Sequence, residues 1–152
     1  MSSSFEKYSA KGNEFLQLVA KDLEIPRDKA ARIVRTVFHA LRNRLSHEES
    51  FQLMAQLPMV LKAVYVDGWK FNKEFRRISS VEDFLDEIRK EDKHMAGYDL
   101  GNNSKARTVV AAVFKAMIYF VSEGEMNDME AVLPQELSAF IKETLAGNET
   151  VL

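Results

Sequence analysis

Apolar positions along this chain recur at steps of three and four. Ala30, Ile33, Val34, Val37, Phe38, Leu41 and Leu45 form one series; Ala106, Val109, Val110, Val113, Phe114, Met117 and Val121 form another. That spacing lays each series along one face of an α-helix. Pro26 suits the first turn of the first helix, and Ser104 suits the N-cap of the second. Each series stops at a serine that stands three residues before a glutamate, in Ser46-His47-Glu48-Glu49 and Ser122-Glu123-Gly124-Glu125. A capping box satisfies two orphan N–H groups at a helix start, so Ser46, Glu49, Ser122 and Glu125 read as structural caps. A short helix then runs to Leu57-Pro58 or Leu133-Pro134, where proline opens the next one. Leading helices are predicted over about 5–23 and 80–95, giving about eight helices in all.

The two series belong to a longer internal match. Displaced by 76, residues 30–61 fall on 106–137 without a gap and with 11 identities in 32 positions. Chance would give roughly two or three. Phe15-Leu16 corresponds to Phe84-Leu85 at an offset of 69, so the second copy carries about seven extra residues, placed around Tyr98–Asn103. The predicted fold is therefore all-α: one domain over residues 1–152, made of two sequence-related helical halves packed as a bundle. The repeats lie at about 11–66 and 80–143, with a connector at about 67–79. Within residues 64–71, Asp67-Gly68 resembles a hairpin turn. The repeat places Val64 and Tyr65 on Phe140 and Ile141, which favours a helix to Val66 ended by Gly68.

These residues also carry a resemblance. Ala40-Leu41, Leu45-Ser46, Ala55-Gln56-Leu57-Pro58 and Val64-Tyr65-Val66-Asp67-Gly68-Trp69, with Ala112-Val113-Phe114, Val121-Ser122-Glu123-Gly124-Glu125, Leu133-Pro134 and Glu136-Leu137, resemble a prokaryotic family. It is the one catalogued as domain of unknown function twenty-two sixty-seven. The likeness covers about residues 11–143 and implies a small cytosolic all-helical protein in two copies. It brings no catalytic residue with it.

Composition narrows the chemistry. With 46% hydrophobic and 29% charged residues, the chain is globular rather than disordered. The absence of cysteine excludes disulfides within the chain, thiolate zinc sites and a cysteine nucleophile. Lys and Arg number 21 against 23 Asp and Glu, so no bulk positive field attracts nucleic acid. The longest near-apolar run, Val109–Val121, spans 13 residues and contains Lys115, whereas a bilayer needs about 20. The start of the chain has no basic stretch leading into an apolar one, and the expected location is cytoplasmic.

Candidate chemistry is sparse. Glu91-x-x-His94 places a carboxylate and an imidazole on one helix face, but a bundled metal pair needs two such motifs. Glu82, Asp83, Asp86 and Glu87 crowd the first turns of a helix, where the dipole favours them. Nucleophile elbows, phosphate loops and dinucleotide fingerprints are absent. No catalytic residue, metal or cofactor is assigned.

Two features remain. Arg32, Arg35, His39 and Arg42 follow steps of three, four and three on the side opposite the apolar series. They form a candidate phosphate- or partner-binding face, or else a solvated one, or one paired with the acidic stretches at 82–92 and 123–130. The aligned residues Thr108, Ala111, Lys115 and Ile118 do not repeat the stripe. In the second copy Ile118, Tyr119 and Phe120 make the long helix apolar nearly all round, a candidate core or interface together with Trp69. The expected function is a non-enzymatic binding or regulatory module that self-associates as a homo-oligomer. Two alternatives stand beside it: nucleic-acid binding through the arginine face, and small-molecule binding in a cleft between the halves.

Overall fold

The computed structural model describes residues 4–71, 74–120 and 123–149, and every regular element among them is helical. The order is α1 (Ser4–Leu23), α2 (Arg27–Arg44), α3 (His47–Met54), α4 (Met59–Val66) and α5 (Val81–Asp92). A 3-10 turn (Lys93–Met95) leads into the single-turn α6 (Ala96–Leu100), followed by α7 (Asn103–Tyr119), α8 (Glu123–Val132) and α9 (Gln135–Glu149). The chain is an all-α bundle. The stretch Tyr98–Asn103 holds the end of α6, Gly101 with φ +64, and the cap and first residue of α7.

Local sequence sets the ends. Pro26 precedes α2, Pro58 precedes α4, and Ser80 Oγ accepts from Asp83 N at 3.0 Å to open α5. At α3 both halves of the capping box form: Ser46 Oγ accepts from Glu49 N at 3.1 Å, and Glu49 accepts from Ser46 N at 2.8 Å. Ser122 and the side chain of Glu125 lie outside the described residues. The cap of α7 differs from expectation, because Asn102 and not Ser104 accepts from Lys105 N, at 2.9 Å. An Asn side chain caps as well as a Ser, and the helix starts two residues earlier. Residues 64–71 contain no hairpin. Asp67 N bonds Ala63 O at 3.0 Å, and Gly68 takes the left-handed φ of +72 that ends a helix cheaply only as glycine.

Helix α2 runs through the middle, packed against α1, α4, α5 and α7, while α3 meets α8 and α7 meets α9. Phe38 lies at the centre, with ring centroids 6.2 Å from Phe15 and 5.9 Å from Tyr65. The apolar series of α2, and that of α7 from Ala106 to Met117, line this core as their spacing predicts; Val121 lies outside the described residues. Each fully buried aromatic such as Phe114 contributes about 1.5–3 kcal/mol relative to exposure. Tyr65 fits because Ser50 Oγ satisfies its hydroxyl at 2.8 Å; burial pushes that phenol well up from its ordinary value.

Candidate functional site

The C-terminal end of α2, the connector and α5 enclose a cleft of about 540 Å³. Helix α2 contributes Arg42, Asn43 and Arg44 to its wall; the connector contributes Gly68, Trp69, Lys70, Glu74, Phe75 and Arg76; α5 and the following turn contribute Glu87, Glu91 and Lys93. The wall is held largely by arginines gripping backbone. Arg44 is almost fully buried and binds Asp83 and Glu87 of α5. It also donates to the carbonyls of Arg76 and Arg77. Asp83 is thereby held well below its ordinary carboxylate value, the Arg44 hydrogen bond being the main cause. Asn43 Nδ2 donates to Glu91 at 2.7 Å and Glu87 at 3.2 Å, tying α2 to α5 along one side of the cleft.

Arg42 differs from its neighbours. Its Nη1 donates to the carbonyls of Tyr65 and Asp67, both at 2.7 Å, closing the C-terminal end of α4. Its Nε is buried without a partner, and Nη2 makes no hydrogen bond among the described residues. No described carboxylate lies within 4.0 Å of it as an ion pair. Burial draws this guanidinium below its ordinary value, against the attraction of Glu91. Even so it stays charged at neutral pH.

Beside it stands an aromatic cluster. The Trp69 ring lies 4.5 Å from Phe71, 5.6 Å from His47, 5.7 Å from Phe51 and 5.8 Å from Tyr65. Trp69 is thus a half-buried wall of the cleft, neither plain core nor free surface.

The arginine stripe requires a correction. An open face, whether for a partner or for solvent, is not what most of it forms, because α4, α5 and α6 cover it. His39 is buried and donates from Nε2 to Val64 O at 2.8 Å; burial lowers its pKa, against the opposing pull of this bond. Arg32 forks onto the buried Asp99 at 2.7 and 2.6 Å, and Arg42 is committed as described. Only Arg35 is well exposed, and it pairs with Asp67 at 2.8 Å. A helical period fixes the angle between side chains but not what packs on their side.

Of the second-half candidates, Phe120 covers Phe15 at 5.8 Å, Ile118 is half-buried, and Tyr119 is 67% exposed at the end of α7. Sequence reasoning missed Asn43, Arg44 and the acidic partners on α5. It missed equally the buried pair Asp92 and Asp99. Thr36 Oγ1 donates to Asp92 Oδ1 at 3.2 Å, while burial and then the adjoining Asp99 push Asp92 up to about 7. Among the described residues no group of three or more His, Asp and Glu side chains could hold a metal ion; the side chain of His94 lies outside them. No described helix is long and apolar enough to cross a membrane.

Residues 12–140 match the DUF2267 family, described as an uncharacterized conserved protein. The chain belongs to that family. The match spans both sets of helices and includes every residue named above for the cleft. No curated protein matches the chain.

Proposed function

We propose that this protein is a non-enzymatic, cytosolic binding module that takes a small ligand in the cleft between α2, the connector and α5. One observation carries the reading. Arg42 is a buried cation facing a cleft without a carboxylate partner, and an unpaired buried charge is costly unless something supplies the missing partner. Convergent polar groups and one large aromatic in a concave site of this volume are what small-ligand sites share. The cleft also joins the first set of helices to α5, which leads the second. The reading of the stripe as a nucleic-acid surface loses support, because Arg32 and His39 are already spent within the fold and Arg42 is buried rather than presented on an open face.

Trp69 is the only tryptophan, so its emission reports on the cleft directly. Purified protein titrated with small neutral, cationic and anionic organic compounds should show saturable changes in Trp69 emission for at least one charge class. The thermal midpoint should rise with the same compound. A flat response in both readouts across all three classes would overturn the reading.

A further inference from the structure

We infer that the cleft receives a planar aromatic ring carrying a carboxylate or phosphate group, the anion on Arg42 and the ring beside Trp69. This inference rests on the ligand-binding reading above and specifies its chemistry.

The anion follows from what each charged group in the wall already does. Arg44 is used up by Asp83, Glu87 and two carbonyls, and Arg76 reaches Asp83 at 3.4 Å. Glu87 and Glu91 are held by Asn43. Among the described residues, Arg42, Lys70 and Lys93 make no ion pair, and Glu74 is the one cleft carboxylate without a hydrogen bond or ion pair. The uncommitted charge is therefore positive. Arg42 is also preorganised: two main-chain oxygens fix Nη1 and Nε is buried, so Nη2 is the guanidinium nitrogen left for the cleft. A guanidinium N–H held in this way donates to a carboxylate or phosphate oxygen through one charge-assisted hydrogen bond.

The ring follows from Trp69 and Phe75, the aromatic residues of the wall. Trp69 is held in place by ring contacts with Phe71, His47 and Tyr65, of which His47 also lines the cleft, so stacking on it costs little ordering. A charged group alone would leave this apolar wall wet, and a ring alone would leave Arg42 unpaired.

The test uses the intact protein with phenyl phosphate, benzoate, inorganic phosphate and phenol, followed by Trp69 emission and thermal midpoint at fixed ionic strength. Phenyl phosphate or benzoate should bind about tenfold or more tighter than both phenol and inorganic phosphate, the usual worth of one charge-assisted contact or one stack. Which of the two binds better decides between phosphate and carboxylate. Arg42→Gln should lose about tenfold for the aromatic anion and nothing for phenol. If that variant does not fold, Lys70→Gln with Lys93→Gln on the surface should weaken the aromatic anion a few-fold by the same charge logic. Phenol binding as tightly as phenyl phosphate would overturn the anion; inorganic phosphate binding as tightly would overturn the ring. An Arg42→Gln variant that melts earlier yet binds unchanged would show that Arg42 only closes α4. Silence from every compound of every charge would instead remove the ligand-binding reading itself.

Discussion

At the end of α2 the buried residues include Arg42 and Arg44; 76 positions later, at the end of α7, the aligned residues are Ile118 and Phe120. Phe120 packs on Phe15, and α7 buries Val109, Val110, Val113, Phe114 and Met117 among apolar neighbours. Helix α2 buries an equally continuous apolar side, then covers its other side with Lys29, Thr36, His39, Arg42 and Arg44. Thr36, His39, Arg42 and Arg44 each find an oxygen: a carboxylate on α5, or a carbonyl at the end of α4 or in the connector. Apolar packing needs only matching shape, whereas each buried polar group needs a specific partner at a specific distance. The second arrangement fixes segments that lack a core of their own, and the connector is such a segment.

That contrast breaks most visibly at Arg44. Arg44→Ala takes from Asp83 and Glu87 their buried cation and from the carbonyls of Arg76 and Arg77 their side-chain donor, and should cost about 3–5 kcal/mol in urea unfolding. Phe120→Ala, at the aligned but only partly buried position, should cost about 2 kcal/mol. Equal losses, or a loss at Arg44 below about 1 kcal/mol as at an ordinary surface site, would show that the polar side is not gripping.

A smaller effect separates the two sides by pH. Asp92 is raised to about 7 against an ordinary 3.8, first by burial and then by Asp99. The unfolded chain therefore releases this proton earlier than the folded one, and stability from this group falls as pH rises from about 4 to about 7, then stays level. Asp92→Asn removes that penalty, so the variant should gain on the wild type at pH 8 and not at pH 4. Asp83 works in the opposite sense: held low by Arg44, it contributes stability above about pH 4 that is lost as pH falls further. A difference between Asp92→Asn and wild type that does not change with pH would remove the carboxyl pair from the buried network.

Ser46→Ala should cost about 1 kcal/mol through loss of the cap of α3. Smallest of all, Arg35→Ala should leave the thermal midpoint unchanged, since its ion pair with Asp67 lies in solvent. A clear drop there would mean that the exposed end of the stripe also holds the fold.

The helices, the box at Ser46 and Glu49 and the stop at Gly68 were legible because each depends on residues within one or two turns. The facing of the stripe was not. Asp99 lies 67 residues from Arg32, and Asp83 lies 39 from Arg44. One signal was present and unread: Arg42 and Arg44 align with Ile118 and Phe120, apolar residues at corresponding helix positions. An arginine matched to a phenylalanine in a repeated unit is a reason to expect burial. The cleft had no comparable signal, because its walls come from three separated segments.

Arg42 and Arg44 grip through main-chain oxygens, those of Tyr65 and Asp67 where α4 ends and those of Arg76 and Arg77 in the connector. A carbonyl is the same whatever side chain its residue carries. The connector therefore behaves as a frame into which different residues can be set: Lys70, Glu74 and Phe75 can be exchanged without loosening either anchor. Selectivity can be rewritten in this protein by changing the lining alone, and a library restricted to those three positions is the natural starting point for redesign.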